Sequence, residues 1–373
     1  MPATGRTPGI RRAVLVLAAA LIACLAVVLF LPGQQDRQEG RQESGSEDGQ
    51  TSGRQGGQEG ACGNADGGPT AVGALPAPSG PGLAGLPAIS GKRPAFGIAT
   101  EGGFGLPGQW DEVAIALGES PSLIMAYSNF TEPVPWAGLE AVAARGATPV
   151  VTWEPWDPAT GPDQTRFALS TITAGHHDAY LQQWAGALRA YGKPVLLRFA
   201  HEMNSPWYPW GADTNGNAPA DYVDAWRHVH DLFADAGATN VSWVWNPEAP
   251  ACDSLPLKAF YPGDGYVDVV ALDAYNWGTT RENEAWRSAR ELFAEGLRQL
   301  REVAPGIPIV IGETASTESG GSKAEWAEGL VAYLAAQPDV QAFIWFDYRK
   351  ESDWRIDSSD ASRDALRSAL SAR

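Results

Sequence analysis

The sequence predicts an α/β fold, a (β/α)8 TIM barrel, for residues 91–373. Three observations carry this prediction. From residue 93 onward, eight short apolar runs alternate with amphipathic stretches. Most of the runs are nearly continuous in β-branched, leucine and aromatic residues, which is typical of parallel strands covered by helices. Several runs also end in a polar residue, as expected where a barrel carries its active site.

The predicted strands and helices follow one another in a regular order. The strands are expected at 95–100, 122–128, 149–154, 194–200, 241–246, 267–273, 307–313 and 342–347. Helical spacing of apolar residues marks the intervening stretches, most clearly around 181–188, 222–233, 285–303 and 324–334. Asn217-Ala218-Pro219 is a start signal for the second of these helices.

Residues 1–31 are predicted to be a signal peptide or a membrane anchor. Arg11 and Arg12 precede an apolar run that extends from residue 13 to residue 31. The run is just long enough to span a bilayer. Residues 21–24 also fit a lipoprotein cleavage box, although the apolar run continues beyond Cys24 and so favours the other two interpretations. All three interpretations predict an exported chain, either secreted or tethered to the cell surface.

Residues 32–90 are predicted to be a disordered linker. They are rich in Gly, Gln, Ser and Pro and show neither helical nor strand periodicity, so they cannot bury enough apolar surface to fold. Cys62 in this linker and Cys252 in the barrel could form a disulfide outside the cell, and the sequence leaves this open. The net charge of −17 argues against a nucleic-acid partner. We expect a monomer.

Residues 198–211 contain the most informative motif. Glu202 follows a predicted buried strand and is surrounded by Trp207 and Trp210. Such a setting suits sugar cleavage, because a carboxyl group can protonate a glycosidic oxygen while aromatic rings stack on sugars. The apolar neighbours favour the protonated form of Glu202, which predicts a general acid. Arg198, on the same strand, is expected to fix a carboxylate.

A second carboxylate, Glu313, ends the seventh predicted strand. Strand ends meet at one face of a barrel, so Glu202 and Glu313 are expected to face each other as the acid and the nucleophile of a retaining glycosidase. Tyr275, from the sixth strand, is expected to donate a hydrogen bond to Glu313. The sequence lacks His/Cys clusters with zinc-ligand spacing, so neither a metal nor a cofactor is predicted.

The residues of these motifs resemble glycoside hydrolase family 26 over about residues 93–370. The resemblance is carried by His201-Glu202-Met203-Asn204 with Trp207, by Ile311-Gly312-Glu313, and by Tyr261-Pro262-Gly263-Asp264. It implies the (β/α)8 fold, with Glu202 as acid/base and Glu313 as nucleophile. It also implies that the sugar at the cleavage point is lined by His201, Trp207 and Tyr275, and that Trp345 is the aromatic platform from the last strand.

Three further residues are candidate substrate contacts, each with a structural alternative. Trp245, at the end of the fifth strand, is predicted either to line a subsite or to pack in the core. Trp153 is either an outer sugar platform or a core residue. Asn204 either binds a sugar hydroxyl or braces its loop.

The predicted function is a retaining endo-β-glycanase acting on β-1,4-mannan or glucomannan, the substrates that the resemblance implies. Trp207-Tyr208-Pro209-Trp210-Gly211 departs from the pattern usual in mannanases of the family, which makes mixed-linkage β-1,3-1,4-glucan the alternative substrate. A non-catalytic carbohydrate-binding barrel is the alternative of another class. Metal-assisted hydrolysis is disfavoured by the missing ligand clusters.

Overall fold

The computed structural model describes residues 94–251 and 254–373, which form a closed barrel of eight parallel strands in sequential order. The eighth strand pairs with the first, so the sheet has no free edge. The predicted (β/α)8 fold is therefore confirmed. The strands are β1 Ala95–Thr100, β2 Leu123–Asn129, β3 Thr148–Glu154, β4 Val195–Phe199, β5 Val241–Trp245, β6 Val269–Asn276, β7 Ile309–Ser316 and β8 Val340–Asp347.

Among the described residues an α-helix follows each strand except β5, after which there are only 3-10 turns at Leu257–Phe260 and Asp264–Tyr266. The helices are α1 Pro107–Leu117, α2 Trp136–Ala143, α3 Leu169–Thr173, α4 Asp178–Tyr191, α5 Pro219–Asp235, α6 Ala289–Val303, α7 Lys323–Ala335 and α8 Asp360–Ala372. The start signal at Pro219 is confirmed. α6 begins later than its apolar pattern suggested, because Ser288 and Glu291 form a capping box that fixes the first turn.

Alternation along the strands divides the side chains between the barrel interior and the helices. Trp153 of β3 points outward and packs on Trp184 of α4 and Phe233 of α5. The neighbouring Thr152 points inward, where its hydroxyl accepts a hydrogen bond from Arg198. The interior thus acquires a polar layer near the carboxyl ends of the strands, above apolar residues such as Val150 and Leu196.

The predicted export segment and linker, residues 1–90, lie outside the described residues, as do Cys62 and Cys252 of the disulfide considered above. Within 94–251 and 254–373, no helix combines the length and apolar character needed to cross a membrane.

Candidate active site

The chain leaves β4 through a backbone conformation that L-residues rarely adopt. Ala200 and Glu202 have φ angles of 44° and 51°, in the left-handed region. Each such residue costs about 1–2 kcal/mol. Two backbone hydrogen bonds hold the turn: Ala200 N–H donates to Trp153 O at 3.0 Å, and Glu202 N–H donates to Asn246 O at 2.7 Å. Strain of this kind persists where the surroundings fix it, commonly at functional sites.

Glu202 is buried and has one side-chain donor among residues 94–251 and 254–373. The indole N–H of Trp207 donates to its Oε2 at 2.7 Å, and only 7% of the residue is exposed. Burial raises the pKa of Glu202 well above its ordinary value, and the nearby charges of Asp273, Glu248 and Glu313 act in the same direction. Its surroundings therefore favour the protonated form of Glu202, which is the form that a general acid requires.

Glu313 has the opposite surroundings. Its Oε1 accepts hydrogen bonds from Tyr127, at 2.7 Å, and from Arg198, while its Oε2 accepts one from Tyr275. Three donors, one of them a cation, stabilise a negative charge on this carboxylate. The predicted contacts of Tyr275 and Arg198 are confirmed, whereas the contribution of Tyr127 was not predicted.

Arg198 connects the carboxylates at the floor of the site. Its Nη1 donates to Asp273 Oδ2 at 2.8 Å and to Asn246 Oδ1 at 3.0 Å, and its Nε donates to Thr152 Oγ1 at 2.9 Å. Only 1% of Arg198 is exposed, so its charge depends on these partners for compensation. Because the guanidinium contacts Asp273 and Glu313 but not Glu202, the proton of the cluster is best placed on Glu202.

The two predicted catalytic carboxylates lie close together. One carboxylate oxygen from each of Glu202, Asp273 and Glu313 lies within 4.8 Å of the others. Retaining glycosidases hold their two carboxyl groups about 5–5.5 Å apart, whereas inverting enzymes need a wider gap for a water molecule. The spacing fits the retaining arrangement. The three oxygens are also near enough to hold a cation, but Arg198 already compensates two of them.

His201 lies beside the acid as a neutral ring. It is 1% exposed and packs against Tyr208, with ring centroids 4.8 Å apart, and against Trp210. Burial lowers its pKa well below the ordinary value, and the charges of Arg198 and Lys350 lower it further. Its Nδ1 has no hydrogen-bond partner among the described residues.

Trp207 is the predicted site tryptophan that the structure leaves accessible. Its side chain is 46% exposed while its indole N–H contacts Glu202. An exposed indole beside the acid is able to stack on a sugar ring, and this contact of Trp207 stays a prediction.

The other four predicted site tryptophans are fully buried, so a direct sugar contact does not fit their positions. Trp153 donates its indole N–H to Tyr180 Oη, Trp210 to His201 O, Trp245 to Phe260 O and Trp345 to Trp354 O. Neighbouring residues of a strand point to opposite faces of the sheet. Trp153, Trp245 and Trp345 each lie next to a residue that points into the barrel, so their own side chains point outward, toward the helices. Trp210 instead stacks on Tyr208 beneath His201.

Asn204 braces its loop, one of the two roles considered for it. Its side-chain amide donates to Glu248 O at 2.9 Å, and its Oδ1 accepts from Glu248 N–H at 2.9 Å. Both polar atoms of this side chain are therefore engaged by protein.

Two carboxylates near the acid were not predicted as site residues. Glu154, at the end of β3, is 7% exposed and accepts the indole N–H of Trp156 at 3.1 Å. Glu248 follows β5 and accepts the hydroxyl of Ser205 at 2.5 Å. Burial raises the pKa of each to about 7. The signal that could have identified them is their position: Glu154 is the last residue of a predicted strand, and Glu248 comes two residues after another.

A barrel that carries a buried carboxyl group just after β4 and a hydrogen-bonded carboxylate on β7, at this spacing, has the site of a glycoside hydrolase. Residues 125–319 match the family model described as glycosyl hydrolase family 26. The chain belongs to this family, as the residues around Glu202 and Glu313 predicted.

Several curated proteins are similar to parts of the chain. Endoglucanase H of Acetivibrio thermocellus is 36% identical over 265 residues, which are 68% of this chain and 28% of that protein. A β-1,3-xylanase of a Vibrio species is 26% identical over 209 residues, 50% of this chain and 42% of that protein. A mannan endo-1,4-β-mannosidase of Bacillus subtilis is 32% identical over 115 residues, 28% of this chain and 31% of that protein. The chain thus spans less than half the length of these relatives.

Solved structures share the fold. The catalytic domain of an endo-β-1,4-mannanase from a Bacillus species has a TM-score of 0.59 at 19% identity, covering 77% of this chain and 87% of that one. An endo-β-1,4-mannanase of Cellulomonas fimi has the same TM-score and identity, covering 78% of this chain and 73% of that one.

Proposed function

We propose that the chain is a retaining endo-β-glycanase that hydrolyses a β-linked polysaccharide by double displacement. The observation that carries this proposal is the contrast between two close carboxyl groups. Glu202 is buried beside other acids without a cation, whereas Glu313 is held by Arg198, Tyr127 and Tyr275. One group is thus prepared to give a proton and the other to attack.

In the first step, a carboxylate oxygen of Glu313 attacks the anomeric carbon and forms a glycosyl ester. The bond between that carbon and the glycosidic oxygen breaks, and the oxygen takes the proton of Glu202 as it leaves. Tyr127 and Tyr275 each donate to a different oxygen of Glu313, which orients the nucleophile. Trp207 holds the acid through Oε2.

In the second step, Glu202 acts as the base. It takes a proton from a water molecule, whose oxygen attacks the anomeric carbon and displaces Glu313. The ester bond breaks, Glu313 is again a carboxylate, and Glu202 is again protonated. Two inversions leave the product with the configuration of the substrate.

For the substrate, β-1,4-mannan or glucomannan and mixed-linkage β-glucan are both supported by relatives. The mannosidases of the family support the first. The second is supported by the longer match to an endoglucanase, together with the altered segment Trp207-Tyr208-Pro209-Trp210-Gly211. We also propose that the chain works outside the cytoplasm, secreted or tethered, on the basis of its N-terminal charge and apolar run, and that it is monomeric.

The test is release of reducing sugar from galactomannan, glucomannan, mixed-linkage β-glucan and β-1,3-xylan, with Glu202→Ala and Glu313→Ala as controls. We expect turnover on at least one polymer and its loss in both variants. Azide should partly rescue Glu313→Ala and give a glycosyl azide of inverted configuration. Polymer binding by the folded protein without any product would contradict an enzyme and favour the carbohydrate-binding alternative.

A further inference from the structure

A third carboxylate, Glu248, is fastened to the same short segment that carries the proposed acid. Asn204 makes two hydrogen bonds to the backbone of Glu248, both at 2.9 Å. The hydroxyl of Ser205, the next residue, donates to Glu248 Oε2 at 2.5 Å. Glu202 itself donates its N–H to Asn246 O at 2.7 Å, two residues before Glu248. Each of these hydrogen bonds therefore joins the segment 202–205 to the residues just after β5.

Contacts to β6 fix Glu248 from its other side. Glu248 forms a parallel bridge with Asp273, and the next residue, Ala249, donates its N–H to Asp273 O at 2.9 Å. The backbone of Glu248 is thus held between the segment that follows β4 and Asp273 within β6. The main-chain contacts alone would brace the loop and would not need an acidic side chain, so the carboxylate calls for a separate explanation.

The charges around the acid show what this carboxylate can do. Glu202 faces Asp273 and Glu313, both paired with Arg198, and it faces Glu248, which Arg198 does not contact. On its outer side Glu248 faces Arg281 and Glu284, whose effects oppose each other. A negative charge at Glu248 therefore disfavours a second negative charge at Glu202.

We propose that Glu248 is a positioning residue for the acid step: tied beside Glu202 by Asn204 and Ser205, its carboxylate keeps the acid proton on Glu202 as the solution becomes alkaline. This inference rests on the function proposed above. Burial raises the pKa of Glu248 to about 7. Glu248 is therefore largely neutral in acid solution and acquires its charge as the pH rises through about 7, toward the range where loss of the proton from Glu202 would stop the reaction.

The first test is the pH profile of kcat/KM for Glu248→Gln on the polymer that the wild type cleaves. Glutamine keeps the acceptor for Ser205 but removes the charge. We expect the wild-type advantage to grow from pH 6 to pH 8.5 and to reach roughly threefold to tenfold on the alkaline limb. Glu282→Gln, an exposed residue of the loop after β6, removes an equal charge and should leave the profile unchanged.

An activated aryl glycoside separates this effect from other roles of Glu248. A dinitrophenolate leaving group needs no proton, so the alkaline advantage of the wild type should vanish on that substrate. A KM increase that is the same at every pH, on both substrates, would instead make Glu248 a sugar contact and overturn the proposal. An equal loss of kcat/KM at every pH would overturn it in favour of simple loop support.

A titration that does not depend on turnover distinguishes this proposal from the function on which it rests. In protein labelled with 13C at the glutamate side-chain carboxyl carbon, the Glu202 signal is identified by its absence in Glu202→Gln. We expect Glu202 to lose its proton at lower pH in Glu248→Gln than in the wild type. An unchanged titration would overturn the proposal even in an active enzyme, whereas a shifted titration in a protein inactive on every glycan would contradict only the proposed activity.

Discussion

Tyr127 of β2 donates its hydroxyl to Oε1 of Glu313 on β7 at 2.7 Å, across the interior of the barrel. The two strands are not neighbours in the sheet, so this contact exists only when the barrel is closed. Arg198 donates to the same oxygen. The nucleophile is therefore positioned by residues from β2, β4 and β6 together.

We expect Tyr127→Phe to lower kcat/KM by about tenfold to 100-fold. A hydrogen bond to a charged group contributes roughly 1.5–3 kcal/mol, and its loss would leave Glu313 less firmly oriented. Glycosyl azide formation in a Tyr127→Phe/Glu313→Ala double variant supplies the check. Without the Glu313 carboxylate, Tyr127 has no nucleophile to orient. The double variant should therefore form glycosyl azide at the same rate as Glu313→Ala alone. A loss of equal size in the double variant would show that Tyr127 acts elsewhere.

Trp207→Phe should move the alkaline limb of kcat/KM to higher pH. The indole N–H stabilises the ionised form of Glu202 and so lowers its pKa, and phenylalanine keeps a sugar-stacking face without that donor. The direction is opposite to that expected for Glu248→Gln. We also expect kcat to fall severalfold, because the acid loses the indole donor that holds it. If the alkaline limb of kcat/KM moved to lower pH, the result would contradict a hydrogen bond from Trp207 to the ionised form of Glu202.

The buried and exposed tryptophans should respond differently to substitution. Trp153→Phe removes packing against Trp184 and a hydrogen bond to Tyr180, so the free energy of unfolding should fall by about 1–3 kcal/mol. Its KM for polymer should remain that of the wild type. Trp207→Ala should raise KM severalfold with little change in melting temperature. A raised KM in Trp153→Phe would instead support the interpretation of Trp153 as a sugar platform.

The sequence predicted the barrel and the proximity of Glu202 and Glu313, because both follow from short-range patterns. Buried strands are nearly continuous apolar runs, and the parallel order places their carboxyl ends on one face. Glu202 and Glu313 each end such a run, and Arg198 and Tyr275 lie within a few residues of a strand end. Their contacts could be predicted because the carboxyl ends of all eight strands meet at one face of a closed barrel.

The aromatic residues were harder to place. Whether a strand tryptophan points to the helices or to the mouth depends on register, and Trp153 and Glu154 differ by one residue. Trp345 likewise packs on Trp326 of α7 rather than over the site. Tyr127 carried no local signal, because its partner is 186 residues away and becomes a neighbour only through closure of the barrel.

The buried carboxyl group of Glu154 is expected to make the free energy of unfolding depend on pH. Burial raises the pKa of Glu154 from 4.5 to about 7. Between these values the folded protein binds a proton that the unfolded chain has lost, so folding becomes less favourable as the pH rises through this window. The cost is absent below about pH 4.5 and approaches about 3 kcal/mol above pH 7.

Glu154→Gln should therefore raise the melting temperature at pH 8 and leave it unchanged at pH 4.5. Glutamine still offers Trp156 an oxygen acceptor for its indole N–H, so the main difference is the missing charge. Scanning calorimetry between pH 4.5 and pH 8.5 measures the effect, and the exposed Glu328→Gln serves as the matched control. A variant that is destabilised at pH 8 would show that the Glu154 carboxylate makes favourable contacts that outweigh its burial.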